Sequence, residues 1–563
     1  MFSQAFVRNF FLYFIYLINW FFLDYQLQLV ACTCCKVAYI DNSCKLCKYI
    51  YDHENLYTHK WMLKKVFYIF APIQKGEWVK FFCMGLMFFC VLFNYNILRA
   101  MKDSLLVPNI GAEAISFVKM YVITPAALLF MVLYTYMTNI MTFQRIFIYI
   151  AGFFLVFFLA FTFILYPYRE ILHPDPETVA ALSLAEVHVF SYTFDLSHFK
   201  WFFKLYGKWT FVLFYVVAEL WGSAMIFLLY WQFANKITKT EEAKRLYPMY
   251  CFVGHIGSTL GGAVMEFLAL REIGDIVLFG KEYNGLISIV MIVASFATII
   301  ALGFFFYLNI YVVGDKTVRM SSAKKPEILK TKLTLVESFK IILSSKYLGL
   351  IVVLVFCYGI SINLIEGVWK DKARLVYSST EEYAYFMGNL MKWTGVSTVA
   401  FTLLGGFILR NLGWLTGALL TPIMMLITGL GFFVFIVFGD SFEWLVSSWG
   451  ISTVFVAVIL GAIQNVLTKG TKYSLFDATK EMAYIPANEH IKSKGKAAVD
   501  VVGARLAKSG GALIQSLLFM IFPLATFDSL APFFMVLFVI LVLIWLFDVV
   551  KLHKSYEVHV GKN

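Results

Sequence analysis

Charged side chains are scarce in this chain of 563 residues. Asp, Glu, Lys and Arg make up 15% of it, where a soluble domain carries about 25%. Proline and glycine are few, at 12 and 35 residues, which excludes a collagen-like repeat or a low-complexity polar chain. Nine cysteines in such a length are too sparse for a disulfide scaffold. What fills the chain is apolar: 61% of its residues are hydrophobic and the mean hydropathy is +0.76. A water-soluble fold cannot hide so much apolar side chain. The class that remains is a protein embedded in a lipid bilayer.

The net charge is +12. Nucleic-acid binding does not fit so apolar a chain. Basic cytoplasmic loops obeying the positive-inside rule explain part of the excess. An anionic substrate inside the membrane explains a further part, if individual residues support it.

Five of the cysteines (Cys32, Cys34, Cys35, Cys44 and Cys47) lie in the first sixty residues. Two C-x-x-C pairs so close together, with no domain around them, fit an unstructured or lipid-modified extension better than a zinc site. The segment FVRNFFLYFIYLINWFFL in the same region reads as an extra span, a signal anchor or a surface helix. Met62 offers an alternative start. Cys83, Cys90, Cys251 and Cys357 sit in apolar runs as small packing residues.

Apolar stretches long enough to span a bilayer are expected near 82–106, 115–137, 146–167, 209–233, 247–270 and 285–313. Six more follow near 347–370, 384–408, 414–438, 445–468, 500–522 and 530–550. The expected architecture is all-α, with twelve transmembrane helices in two six-helix bundles. The expected division is an N-terminal extension at 1–63, a first bundle at 64–313, a linker at 314–346, a second bundle at 347–550 and a tail at 551–563. The linker carries eight Lys or Arg against three acids, which places it, and with it both termini, in the cytoplasm. The opposite face bears a loop at 168–208 with five acids, four Lys or Arg, and His173, His188 and His198. These histidines are too widely spaced to favour a metal site, and the loop reads as solvated.

Ionisable side chains inside a span cost several kcal/mol and face a cavity or a partner. Arg99, Lys102 and Asp103 share one helix face with Asn96. Two bases against one acid leave that face positive, suited to a phosphorylated ligand. The plainer alternative is an internal ion pair at the helix end. Glu219 stands alone in span four. Glu366 does so in span seven, beside Asn363 and ahead of Lys370. Each acid fits a fixed pair with a base, a proton carrier or a ligand acceptor. Region 461–511 is the least membrane-like part of the second half. Lys496, Asp500 and Lys508 lie at or inside the start of span eleven. The run before Lys508 lacks the glycine of a phosphate loop, and no strand precedes it, so nucleotide hydrolysis of that type is rejected. Gly254, Gly257 and Gly261 imitate a dinucleotide motif, but on a spanning helix they read as close helix packing.

The segments NYNILRAMKDSLLV, ELWGSAMIFLLYWQFANKITKTEEAKRLYP, YGISINLIEGVWK and KYSLFDATKEMAYIP with KGKAAVDVV and KSGGALIQ resemble the ATP/ADP translocases of plastids, obligate intracellular bacteria and microsporidia. The resemblance covers about 64–550. It implies a major-facilitator-like fold and exchange of ATP for ADP, in some members with phosphate. It implies no cofactor, metal or catalytic residue. It assigns functional weight to Lys102, Glu219, Glu366 and a lysine of the GKAA to KSGG region, Lys508 before Lys496. Arg99, Asp103, Asn363 and Asp500 complete the expected substrate site. Tyr95, Tyr358, Trp369 and Trp393 are candidates to stack on the base. The resemblance further implies the inner membrane of an intracellular bacterium, or else a plastid envelope or parasite membrane. A proton-coupled importer of other nucleotides is the alternative within the family. Three features depart from the pattern: Ala507 where glycine is common, the long 168–208 loop and the Cys-rich N-terminus.

Overall fold

Long apolar runs with few helix breakers become long helices. The computed structural model describes residues 73–311, 345–484, 499 and 504–560, apart from short breaks at 75, 190–191, 272, 279–280 and 449. The expected N-terminal extension, residues 314–344 of the basic linker, Lys496 and Asp500 lie outside these residues.

Twelve long helices are described. The first six are α1 (Trp78–Ile110), α2 (Ala114–Ile140), α3 (Phe143–Leu165), α4 (Trp209–Ile237), α5 (Thr240–Leu270) and α6 (Gly285–Tyr311). The second six are α7 (Lys346–Val376), α8 (Thr380–Asn411), α9 (Gly413–Val437), α10 (Thr453–Ala483), α11 (Ala504–Ile521) and α12 (Phe527–Val560). Eleven of them are long and apolar enough to cross a membrane, and α11 carries a shorter apolar stretch, Ser509–Ile521. Their ends follow local chemistry. Ser345, Ser379 and Ser452 cap α7, α8 and α10 by accepting from backbone N–H groups of the first turn, and Glu382 completes a capping box at Ser379. Gly111, at φ +129°, ends α1 in a conformation closed to most side chains.

The expected tenth span, 445–468, is corrected. The helix runs from Thr453 to Ala483, so the polar stretch after 468 continues it. Its bases find acids close by: Lys472 reaches Asp477 at 2.9 Å, and Lys469 reaches into the protein interior. The 168–208 loop is also more ordered than a solvated loop. It holds a short helix at Pro176–Leu184, an antiparallel hairpin of β1 (Glu186–Val189) and β2 (Tyr192–Asp195), and an amphipathic helix at Lys200–Gly207.

Helix α1 is the most enclosed span, packed by α4, α5 and α6. Leu129, Val132 and Tyr136 of α2 face outward, as lipid-facing side chains do. In the second six, α7 packs against α10, α11 and α12. The two sets meet along α5 and α8. Glycines set that crossing: a Cβ at Gly262 would collide with the Lys392 backbone, and one at Gly388 with the Glu266 backbone. Gly257 and Gly261 likewise bring α5 onto the carbonyls of Phe89 and Phe93 in α1, the close packing that small residues permit.

Candidate functional site

Four of the long helices contain π-helical turns, at Val118–Ile123, Phe161–Leu165, Gly222–Tyr230 and Lys472–Phe476. Such turns re-aim neighbouring side chains and recur at functional sites. Lys119 lies within the first, and Glu219 and Lys469 stand three residues before the third and fourth. All three side chains take part in one buried cluster of charges.

In the first six helices, Lys102 of α1 donates to Glu219 of α4 at 2.8 Å. Its ammonium also lies 3.9 Å over the Tyr215 ring, a cation–π contact. In the second six, Lys469 of α10 meets Glu366 of α7 at 2.7 Å and donates to Asn465 at 2.9 Å. Glu366 also faces two bases from the first six helices, Arg99 at 3.8 Å and Lys119 at 3.7 Å. Lys119 donates to Asn363 at 2.7 Å, and Asn363 in turn donates to the Gly359 carbonyl. Asp103 accepts from Lys370 of α7 at 2.8 Å, again joining the two sets of helices.

Five bases therefore converge on three carboxylates in an apolar surround. Buried cations want anionic partners, so the two excess positive charges favour an anion. Bases presented from several helices suit the spread oxygens of a phosphate chain.

The sequence-predicted residues meet varied outcomes. Lys102, Arg99, Glu219, Glu366, Asp103 and Asn363 belong to the cluster. Asp103 does not steady a base of its own helix face; its partner is Lys370. Asn96 leaves that face and donates to Ser258. Lys508 has its backbone on α11, while its side chain lies outside the described residues. Trp369 is enclosed, donates to the Val458 carbonyl and packs on Phe386, so it has no free face for a base. Tyr358 packs between Phe476 and Trp545. Lys119, Lys370 and Lys469 also belong to the cluster, and the sequence reading does not select them. Lys119 carries a usable signal, a lone charge inside an apolar run.

Further contacts join the two sets of helices toward one end of the molecule. They include Asn109 with Thr380, Asn284 with Glu381, and Lys392 with Glu266. At the same end, His198 bonds the Met520 carbonyl, Lys200 the Pro523 carbonyl, and Trp201 lies against Phe519. The 168–208 segment thus reaches from the first six helices onto the α11–α12 turn. His173, by contrast, bonds Thr210 at 2.7 Å. Among the described residues no three His, Cys, Asp or Glu side chains gather as a metal site.

The family described as TLC ATP/ADP transporter matches residues 57–556. The chain is 43% identical over 508 residues to "ADP,ATP carrier protein 3" of Rickettsia bellii, covering 88% of this chain and 98% of the relative. It is 44% identical over 496 residues to "ADP,ATP carrier protein 1" of Rickettsia typhi, covering 88% and 97%. Among solved structures, a bacterial homologue of the iron transporter ferroportin in an inward-facing state aligns with a TM-score of 0.53 at 13% identity, covering 85% of this chain and 99% of that one. At that identity the likeness speaks for the fold alone, a polytopic, major-facilitator-like helical bundle.

Proposed function

This chain belongs to the TLC ATP/ADP transporter family, and from that premise we infer that it exchanges ATP for ADP across a bilayer by alternating access. The observation that carries the reading is the buried cluster with more bases than acids. ATP and ADP are polyanions, and their phosphates take the place of Glu219 and Glu366 as partners of Lys102, Lys469, Lys119 and Arg99. Asn363 positions Lys119. Lys508 and Lys496 belong to the proposed site through the family resemblance, and Asp500 through its place four residues after Lys496. The two sets of six helices act as the two rocking bodies, with the nucleotide between them near the midplane.

The nucleotide passes unhydrolysed, in keeping with a chain that lacks a phosphate-loop pattern. The direction is import of ATP from a host against ADP, with phosphate as a further exchange partner. The relatives' source, Rickettsia, supports the inner membrane of an intracellular bacterium. The basic linker supports a cytoplasmic position for both termini. The end where the two sets of helices are joined is then the non-cytoplasmic face.

Uptake of radiolabelled ATP into cells expressing the protein tests this reading, with unlabelled ADP, GTP, CTP and UTP as competitors. Competition by ADP alone is expected. Competition by the other nucleotides, or uptake that needs an imposed proton gradient, would transfer the assignment to a proton-coupled nucleotide importer. Hydrolysis of the nucleotide would overturn transport without chemistry.

A further inference from the structure

The geometry points to the Asp103–Lys370 pair as the interlock that makes the carrier exchange-only, an inference that rests on the exchange reading above. Three ion pairs join the two sets of helices through this cluster. Arg99 and Lys119 reach Glu366 at 3.8 and 3.7 Å, and when they leave, Glu366 keeps Lys469 at 2.7 Å. Asp103–Lys370 differs. It is short, at 2.8 Å, and its side chains are only 2% and 6% exposed. The second oxygen of Asp103 has no hydrogen-bond partner among the described residues.

The sequence around the pair is repeated. Lys102–Asp103 on α1 and Lys370–Asp371 on α7 are the same dipeptide, and each lysine is the twenty-fifth residue of its helix. Two crossings between the repeats are conceivable, Asp103 with Lys370 and Lys102 with Asp371. Only the first is made, because Lys102 is committed to Glu219 and Asp371 meets Arg374 of its own helix.

Opening this face separates Asp103 from Lys370. Asp103 has a substitute, since Arg99 lies four residues earlier on the same helix face. Lys370 has only Glu366, four residues earlier on α7, and must share it with Lys469. Two bases sharing one acid while the pair parts, before water fills the cleft, hinder reorientation of the empty protein by about tenfold or more. A phosphate group supplies the anion that Lys370 lacks, so the loaded carrier reorients and the empty one does not. Lys370 meets the cargo directly, and Asp103 is a positioning residue that holds that lysine in the empty protein. They decide whether the protein turns without cargo.

The test uses the full chain in proteoliposomes loaded with labelled ADP. Efflux is compared between nucleotide-free medium and medium containing ATP. The wild type is expected to release label only into ATP. Asp103→Asn combined with Lys370→Met is expected to raise nucleotide-free efflux at least tenfold relative to ATP-driven efflux. The charge swap, Asp103→Lys with Lys370→Asp, is expected to bring that ratio back toward the wild-type value. A neutral double variant that stays exchange-only would overturn the interlock, and so would a swap that leaks as much as the neutral variant. Should the neutral variant fail to reach the membrane, Asp103→Cys with Lys370→Cys provides a second test. Oxidation should arrest both modes, and reduction should release nucleotide-free efflux; a reduced protein that remains exchange-only would overturn the proposal. A wild type without ATP-driven efflux would instead count against the exchange reading itself.

Discussion

Lys469 on α10 lies 2.7 Å from Glu366 on α7, and this contact repeats, with polarity reversed, the 2.8 Å contact of Lys102 on α1 with Glu219 on α4. In each set of six, the first and fourth helices are tied by one buried base and one acid, Glu366 largely buried and Glu219 partly exposed. The base comes from the first helix in one set and from the fourth in the other. A polyanion between them can engage both lysines at once and release both carboxylates, which is how one ligand can act on both halves.

Glu366 is the shared counter-ion of Arg99, Lys119 and Lys469. Glu366→Gln is therefore expected to lower ATP/ADP exchange at least about tenfold, because it leaves buried bases without an acid. Membrane insertion should persist. Exchange assays beside quantitative membrane blotting check this, and wild-type rates in the variant would contradict it.

Lys469 should matter as much as Lys102. Hydrogen bonds to charged groups contribute about 1.5–3 kcal/mol, so Lys469→Met and Lys102→Met are each expected to weaken nucleotide binding by about 10- to 100-fold. Binding titrations on purified protein separate this from turnover. A Lys469→Met variant of wild-type affinity would remove that lysine from the substrate site.

The helices themselves are legible in the sequence because long apolar runs with few breakers leave little choice. Isolated charges also point to Glu219 and Glu366, which the structure brings into the charge cluster. Lys469 is obscured, because the polar stretch that follows it looks like a loop. Only the structure shows that stretch continuing α10 through a π turn. Lys370 is hidden by its position beside Glu366 in a charged run, and its partner Asp103 lies 267 residues away, a pairing no local pattern encodes. The charged group of Lys119 is tied to a second-half helix and that of Lys370 to a first-half helix by tertiary packing, and periodicity carries no information about it.

The α5–α8 crossing admits no side chain at Gly262, where a Cβ would strike the Lys392 backbone, whereas Gly303 on α6 has open space around it. Gly262→Val is expected to cost about 1–3 kcal/mol of stability through overpacking and to impair exchange. Gly303→Val serves as the control and should leave both nearly intact. Thermal unfolding in detergent reads the difference, and equal behaviour of the two variants would contradict the close crossing.

His173, in the segment after α3, has its pKa lowered to about 4 by burial, with Lys208 and Arg169 adding to the effect. An unfolded histidine titrates near about 6.5. Between these values the unfolded chain binds the extra proton, so stability is full above about pH 6.5 and declines as the pH falls toward 4. His173→Gln should flatten that decline. Melting curves at pH 7 and pH 5 for both proteins provide the check, and an equal loss in the variant would exclude His173 as a source.

The central claim is coupled exchange of ATP and ADP. Its most direct measurement is uptake of labelled ATP into proteoliposomes of the purified wild-type protein, filled either with ADP or with buffer alone, with and without an imposed proton gradient. Uptake is expected only into ADP-filled vesicles, one ADP leaving for each ATP entering, with no response to the gradient. Gradient-driven accumulation of ATP in vesicles containing buffer alone would contradict it.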